Sequence, residues 1–129
     1  MIEQQTRLQP PLGRVRGFGS AKNGTHHWWM QRVTSIALTP LMIWFAFSIA
    51  IRAGEPWEVM AEWIARPFNA VLLVVLTAIG FYHTAQGLQV VVEDYIRPDR
   101  SVMVVNMAIK AVLTLLALLA ALSIIRLAV

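Results

Sequence analysis

The chain contains no cysteine. That excludes a disulfide framework, a thiolate-held iron–sulfur cluster and a cysteine-type zinc site, so any electron transfer through the chain uses a cofactor held in another way. Charge is also scarce: 14% of the residues are charged against 57% hydrophobic, with a mean hydropathy of +0.60, well outside the range of soluble domains. The first 30 residues hold no apolar core ahead of a small-residue cleavage site, so no removable leader is expected. No internal repeat or low-complexity tract is present. The formal charge of +4 and pI near 10.4 do not indicate nucleic-acid binding, because the basic residues flank apolar runs instead of clustering on a polar face.

What the sequence does contain is long apolar stretches. Three of them are long enough to cross a hydrocarbon core of roughly 30 Å, which takes about 20 helical residues. The reading is an all-α membrane protein with three transmembrane helices, about 33–51, 68–92 and 102–127, and a short interfacial helix between the first and second. Residues 1–24, with Pro10-Pro11, Gly13, Gly17, Gly19 and Gly24, read as an extended cytoplasmic tail, and 25–129 as the three-helix membrane-anchor domain. Thr25 is a candidate helix cap, and Trp28-Trp29 suit the water–lipid boundary. Pro40 predicts a kink in the first span. Thr34, Ser35, Thr39 and Ser48 read mostly as packing groups. In 57–66, Trp57, Met60 and Ile64 share one helical face and Glu58, Glu62 and Arg66 another, the pattern of a helix lying at the membrane surface. Pro67 suits the first turn of the second span. In the third span Lys110, one turn after Asn106, is placed to snorkel toward the headgroups.

Basic residues set the orientation. Arg7, Arg14, Arg16, Lys22, Arg32, Arg97 and Arg100 fall on one side and Arg52, Arg66 and Arg126 on the other, which predicts a cytoplasmic N-terminus. So small a helix set encloses no cofactor alone, and partner chains are expected.

The chemistry is concentrated in 80–95. His83 is the one histidine inside a span, and an ionisable group there is by default a candidate site. Gly80 and Gly87 stand three before and four after it on the same helical face, where missing side chains let a flat ring approach the backbone. Two readings stay open: axial ligation of a haem iron, or a hydrogen bond to a neighbouring helix. Ligation by two histidines would require the second from another chain. Eleven residues turn a helix about 20° past three full turns, so Asp94 shares the face of His83 about 16 Å away. Asp94 and Tyr95 form a carboxylate–phenol pair at the membrane edge, fit either to serve a quinone carbonyl or to end a helix in solvent. Arg32, His26 and His27 stand at the same end as possible partners of haem propionates.

Asn23-Gly24-Thr25-His26, Arg32 at the opening of the first span, and His83 followed eleven residues later by Asp94-Tyr95 together resemble the hydrophobic membrane anchor of succinate dehydrogenase, respiratory complex II. The resemblance runs from about Lys22 to the third helix, and Trp28-Trp29 depart from its pattern. It implies that His83 is an axial iron ligand of haem b shared with a companion membrane-anchor chain, which brings the opposing histidine. It further implies that Tyr95 hydrogen-bonds ubiquinone, that Asp94 supports that site, and that Arg32 and His26 lie near the propionates. FAD and iron–sulfur clusters would reside in a flavoprotein subunit and an iron–sulfur subunit, and the whole assembly in a bacterial inner membrane. The alternatives are the anchor of a fumarate reductase, working toward quinol oxidation, and a cofactor-free structural membrane protein.

Overall fold

The computed structural model describes residues 22–129. Arg7, Arg14, Arg16 and the rest of the expected tail up to residue 21 lie outside them. Four helices follow in order: α1 (Lys22–Ile51), α2 (Trp57–Ala65), α3 (Pro67–Tyr95) and α4 (Asp99–Ala128). Three are long and apolar enough to cross a membrane: Gly24–Ile51, Pro67–Tyr95 and Asp99–Ala128, with mean hydropathies of 1.8, 1.6 and 2.5. The short helix stands between the first and second, as expected. All three long helices exceed the anticipated spans at one or both ends. Hydrocarbon offers no partner to a free N–H or C=O, so the ladder continues until headgroups and water can take over.

The helix boundaries follow from local chemistry. Gly54, at φ +89°, supplies the turn after α1. Pro56 precedes α2 in an extended conformation. Arg66, also extended, closes α2 and opens α3, whose first residue is Pro67, where the missing N–H costs nothing. Pro98 opens α4, with Asp99 in its first turn and Arg126 in its last, each charge complementing the helix dipole. Thr25 stands inside α1 and not at its cap, because the helix begins at Lys22. Pro40 is likewise within α1.

The chain divides into compact units Met1–Met30 and Gln31–Val129. In the described part of the first, the rings of Trp28 and Trp29 lie 6.2 Å apart and both are exposed. In the second, α3 packs chiefly on α4, and α2 touches both. Little is enclosed: no residue in the most apolar window of α4 is buried, and Leu115, Leu118, Leu119 and Leu122 all face outward. Lipid or partner chains must cover these faces.

The best-buried residue is Trp63 of α2, 5% exposed. Its ring stacks on Trp44 of α1 at 5.7 Å, and the Arg52 guanidinium sits 4.7 Å above it. Arg52 Nη1 also donates to the Ser48 carbonyl at 2.9 Å, satisfying the C-terminal end of α1. Buried Asn69 of α3 donates to the Trp63 carbonyl at 2.7 Å. The short helix is therefore held through Trp63, which lies outside the Trp57–Met60–Ile64 face singled out from sequence. Trp57 is exposed. Removing Trp63 takes away a stacked ring, a cation–π contact and a buried surface at once. Trp63→Ala is expected to destabilise the purified complex by about 3 kcal/mol, whereas Trp57→Ala falls within about 0.5 kcal/mol. Thermal unfolding of the two variants side by side measures the difference, and equal shifts would refute the anchoring role.

Candidate functional site

α3 carries His83 on the side that faces α1. Its Nδ1 lies 2.8 Å from the hydroxyl of Thr34, a residue only 7% exposed. The neighbouring glycines face the same way: a methyl group at Gly80 would meet Leu38 Cδ2 at 4.0 Å, and one at Gly87 would meet Gln31 Nε2 at 3.7 Å. Both are ordinary contact distances, so this chain's own packing does not demand glycine at either place. Gly80 also borders space that the chain itself does not fill.

That room is part of an open groove of about 380 Å³, lined by Leu38 and Met42 of α1 and by Leu76, Thr77, Gly80, Phe81, His83 and Thr84 of α3. The groove exists because α1 and α3 stand apart, joined by side chains and not by close backbone approach. A larger groove of about 580 Å³ runs between α3 and α4. Its walls are mainly apolar, with Tyr82, Gln86, Lys110 and Thr114 as polar members, and His83 is not among them. The smaller groove is the chemically competent one, since it alone of the two holds the imidazole.

The hydroxyls of the spans mostly turn back on their own helices. Ser35, Thr39, Thr77, Thr84 and Ser123 each donate to the carbonyl four residues earlier, a common way of silencing a hydroxyl in an apolar helix. Thr34 does something further by also reaching His83. By sequence Thr34 is indistinguishable from the packing hydroxyls, because intrahelical spacing gives no sign of which partner a side chain meets across a gap. Gln31 Oε1, Gln86 Oε1 and Asn106 Oδ1 are buried with no hydrogen-bond partner among the described residues. Each such orphan costs about 1–3 kcal/mol.

Asp94 and Tyr95 occupy the end of α3, both exposed, Tyr95 at 85%. Neighbouring Glu93 accepts a hydrogen bond from Gln89 at 2.8 Å. Nothing among the described residues covers the carboxylate–phenol pair. Arg32, on the second turn after His26, is exposed. In the first compact unit His26 is exposed, and His27 is half-buried with Nε2 lacking a partner among the described residues. Lys110 is exposed at the rim of the larger groove. No group of three or more His, Asp or Glu is gathered for a metal among the described residues.

Three long apolar helices, a lone intramembrane imidazole beside an open groove and an uncovered acidic–phenolic helix end define a membrane protein built to be completed by others. Residues 6–122 match the family of succinate dehydrogenase/fumarate reductase transmembrane subunits, and the chain belongs to that family. Within it, the similarity is to hydrophobic membrane-anchor subunits of succinate dehydrogenase. The protein of that description from Rickettsia conorii is 32% identical over 112 residues, 84% of this chain and 89% of the relative. The one from Paracoccus denitrificans is 32% identical over 89 residues, 69% of each chain. The succinate dehydrogenase membrane anchor subunit of Reclinomonas americana is 29% identical over 87 residues, 65% of this chain and 72% of the relative. The chain is thus a multi-pass membrane subunit of the succinate dehydrogenase complex, with the other subunits of that complex as partners.

Proposed function

We propose that the chain supplies half of a b-type haem site and one wall of a ubiquinone-reduction pocket in succinate dehydrogenase. The observation that carries the haem assignment is the state of His83. The imidazole lines an open groove beside Gly80, one ring nitrogen is engaged by Thr34, and Nε2 has no hydrogen-bond partner among the described residues. The residues present fit the group: a neutral nitrogen donor, a backbone bare of Cβ next to it, and apolar walls from Leu38, Met42, Leu76 and Phe81. A b-type haem supplies reversible one-electron storage near the quinone pocket. In this reading His83 would be this chain's ligand to the iron, and a histidine of the companion membrane-anchor chain would complete the ligand set. Arg32 meets a propionate, and His26 is assigned to the other propionate on the family resemblance alone.

At the helix end, the Tyr95 phenol donates a hydrogen bond to a quinone carbonyl, and Asp94 passes protons from water toward the reduced oxygens. Full reduction of a quinone takes two electrons and two protons. The electrons come from succinate through the FAD of the flavoprotein subunit and the clusters of the iron–sulfur subunit, neither of which this chain holds. The exposure of both side chains supports the assignment, because a pocket formed between subunits leaves its half-walls uncovered on each. The family description covers fumarate reductase as well, and direction follows from the potentials of groups held by the partners. The relatives' names favour succinate oxidation.

The charge asymmetry of the loops supports an N-terminus, and with it Asp94 and Tyr95, on the cytoplasmic side of a bacterial inner membrane. Because the chain has no cysteine, single replacements report this directly. Glu55→Cys is expected to react with an impermeant maleimide in intact spheroplasts, and Ser101→Cys only after permeabilisation; the reverse pattern would invert the topology.

The purified complex is expected to show a dithionite-reducible b-type spectrum that is lost in His83→Ala. A spectrum retained unchanged in that variant would remove His83 from the ligand set. Tyr95→Phe is expected to slow succinate-driven ubiquinone reduction by about tenfold, the worth of one hydrogen bond, while electron transfer to a soluble artificial acceptor is kept. Equal loss of both activities would indicate failed assembly instead of a quinone contact.

A further inference from the structure

We infer that Thr34 is a positioning residue for His83: its hydroxyl selects the imidazole tautomer that carries the proton on Nδ1, aiming the Nε2 lone pair into the groove. This rests on the haem assignment above and adds to it a residue of this chain that sets how the ligand binds.

A threonine hydroxyl has one hydrogen to donate and lone pairs to accept. Thr34 Oγ1 lies 3.1 Å from the Gln31 carbonyl and 2.8 Å from His83 Nδ1. The carbonyl can only accept, so the single hydroxyl hydrogen is spent there. Ser35 donates to the same carbonyl at 2.8 Å, so this oxygen holds both hydroxyls of the Thr34-Ser35 pair. A lone pair of Thr34 then faces His83, and the contact is a hydrogen bond only if Nδ1 carries the proton. A neutral imidazole protonated on Nδ1 has its free lone pair on Nε2. The opposite arrangement, with Thr34 donating to Nδ1, would give up its bond to the Gln31 carbonyl, leaving that oxygen to Ser35, and would place the proton on Nε2, blocking ligation there.

Burial gives the bond its weight. Thr34 is nearly enclosed and His83 half-buried, so water does not readily replace either partner. The bond also spans the gap between α1 and α3 at the groove, fixing the ring plane as well as the tautomer. Donation from Nδ1–H to an acceptor raises the basicity of the opposite nitrogen. A more basic ligand favours the oxidised iron and lowers the reduction potential, so loss of the acceptor moves the potential upward.

Three variants of the intact complex test this by redox titration of the b-type band. Thr34→Val keeps the volume and removes the acceptor; it is expected to raise the reduced fraction relative to oxidised, at fixed potential, by about three- to tenfold, with about 59 mV for each factor of ten. Thr34→Ser keeps the hydroxyl and is expected to titrate with the unmodified complex. Thr34→Cys, a weak acceptor, is expected to fall between them, and it carries the test if the valine variant does not assemble. A potential unmoved in Thr34→Val or Thr34→Cys, a downward shift in either, or an equal shift in Thr34→Ser would overturn the assignment. An unmodified complex without a b-type band would instead defeat the haem reading itself, independently of Thr34.

Discussion

Hydrocarbon supplies no hydrogen bonds, and nearly every feature of this chain is an answer to that constraint. The backbone answers with uninterrupted helices that extend beyond the apolar core before ending. The side chains answer by turning inward on their own helix, as Ser35, Thr39, Thr77, Thr84 and Ser123 do. Against that background the pairing of Thr34 with His83 stands out as a polar contact made between helices. It joins two elements whose backbones stay apart, and the space that remains between them is the groove.

The two ends of the bundle solve different problems. Toward Ile51 and Pro67, Trp44, Trp63, Arg52 and Asn69 lock α2 against its neighbours with aromatic, cationic and backbone contacts. Toward Tyr95 the chain is open, with Asp94 and Tyr95 in solvent and glycines where bulk would be expected. Close packing at one end and exposed side chains at the other suit a subunit whose partners cover what it leaves open.

Much of this was legible in the sequence. Hydropathy fixes three spans and the short helix between them, because length and apolarity leave few alternatives in a bilayer. Proline at 67 and 98 and glycine at 54 mark the helix starts and the turn. His83, Gly80 and Gly87 were legible as one face from helical spacing alone. The contacts between helices were not. Trp63 and Trp57 look alike as interfacial tryptophans, and only the packing of α1 against α2 makes one an anchor and leaves the other exposed. Thr34 and Ser35 look alike as small hydroxyls, and only the approach of α3 separates them. The first turns of α1 were not legible for a related reason: residues 22–32 mix polar side chains with Trp28, Trp29 and Met30 and carry no apolar periodicity, yet they belong to the same helix.

The scarcity of buried residues has a consequence for biogenesis. A chain that encloses so little, with no enclosed residue in the most apolar window of α4, gains most of its folding free energy at contacts with other molecules. The stability of such a protein is inseparable from the concentration of its partners. Its accumulation is therefore expected to follow that of the companion chains that cover it.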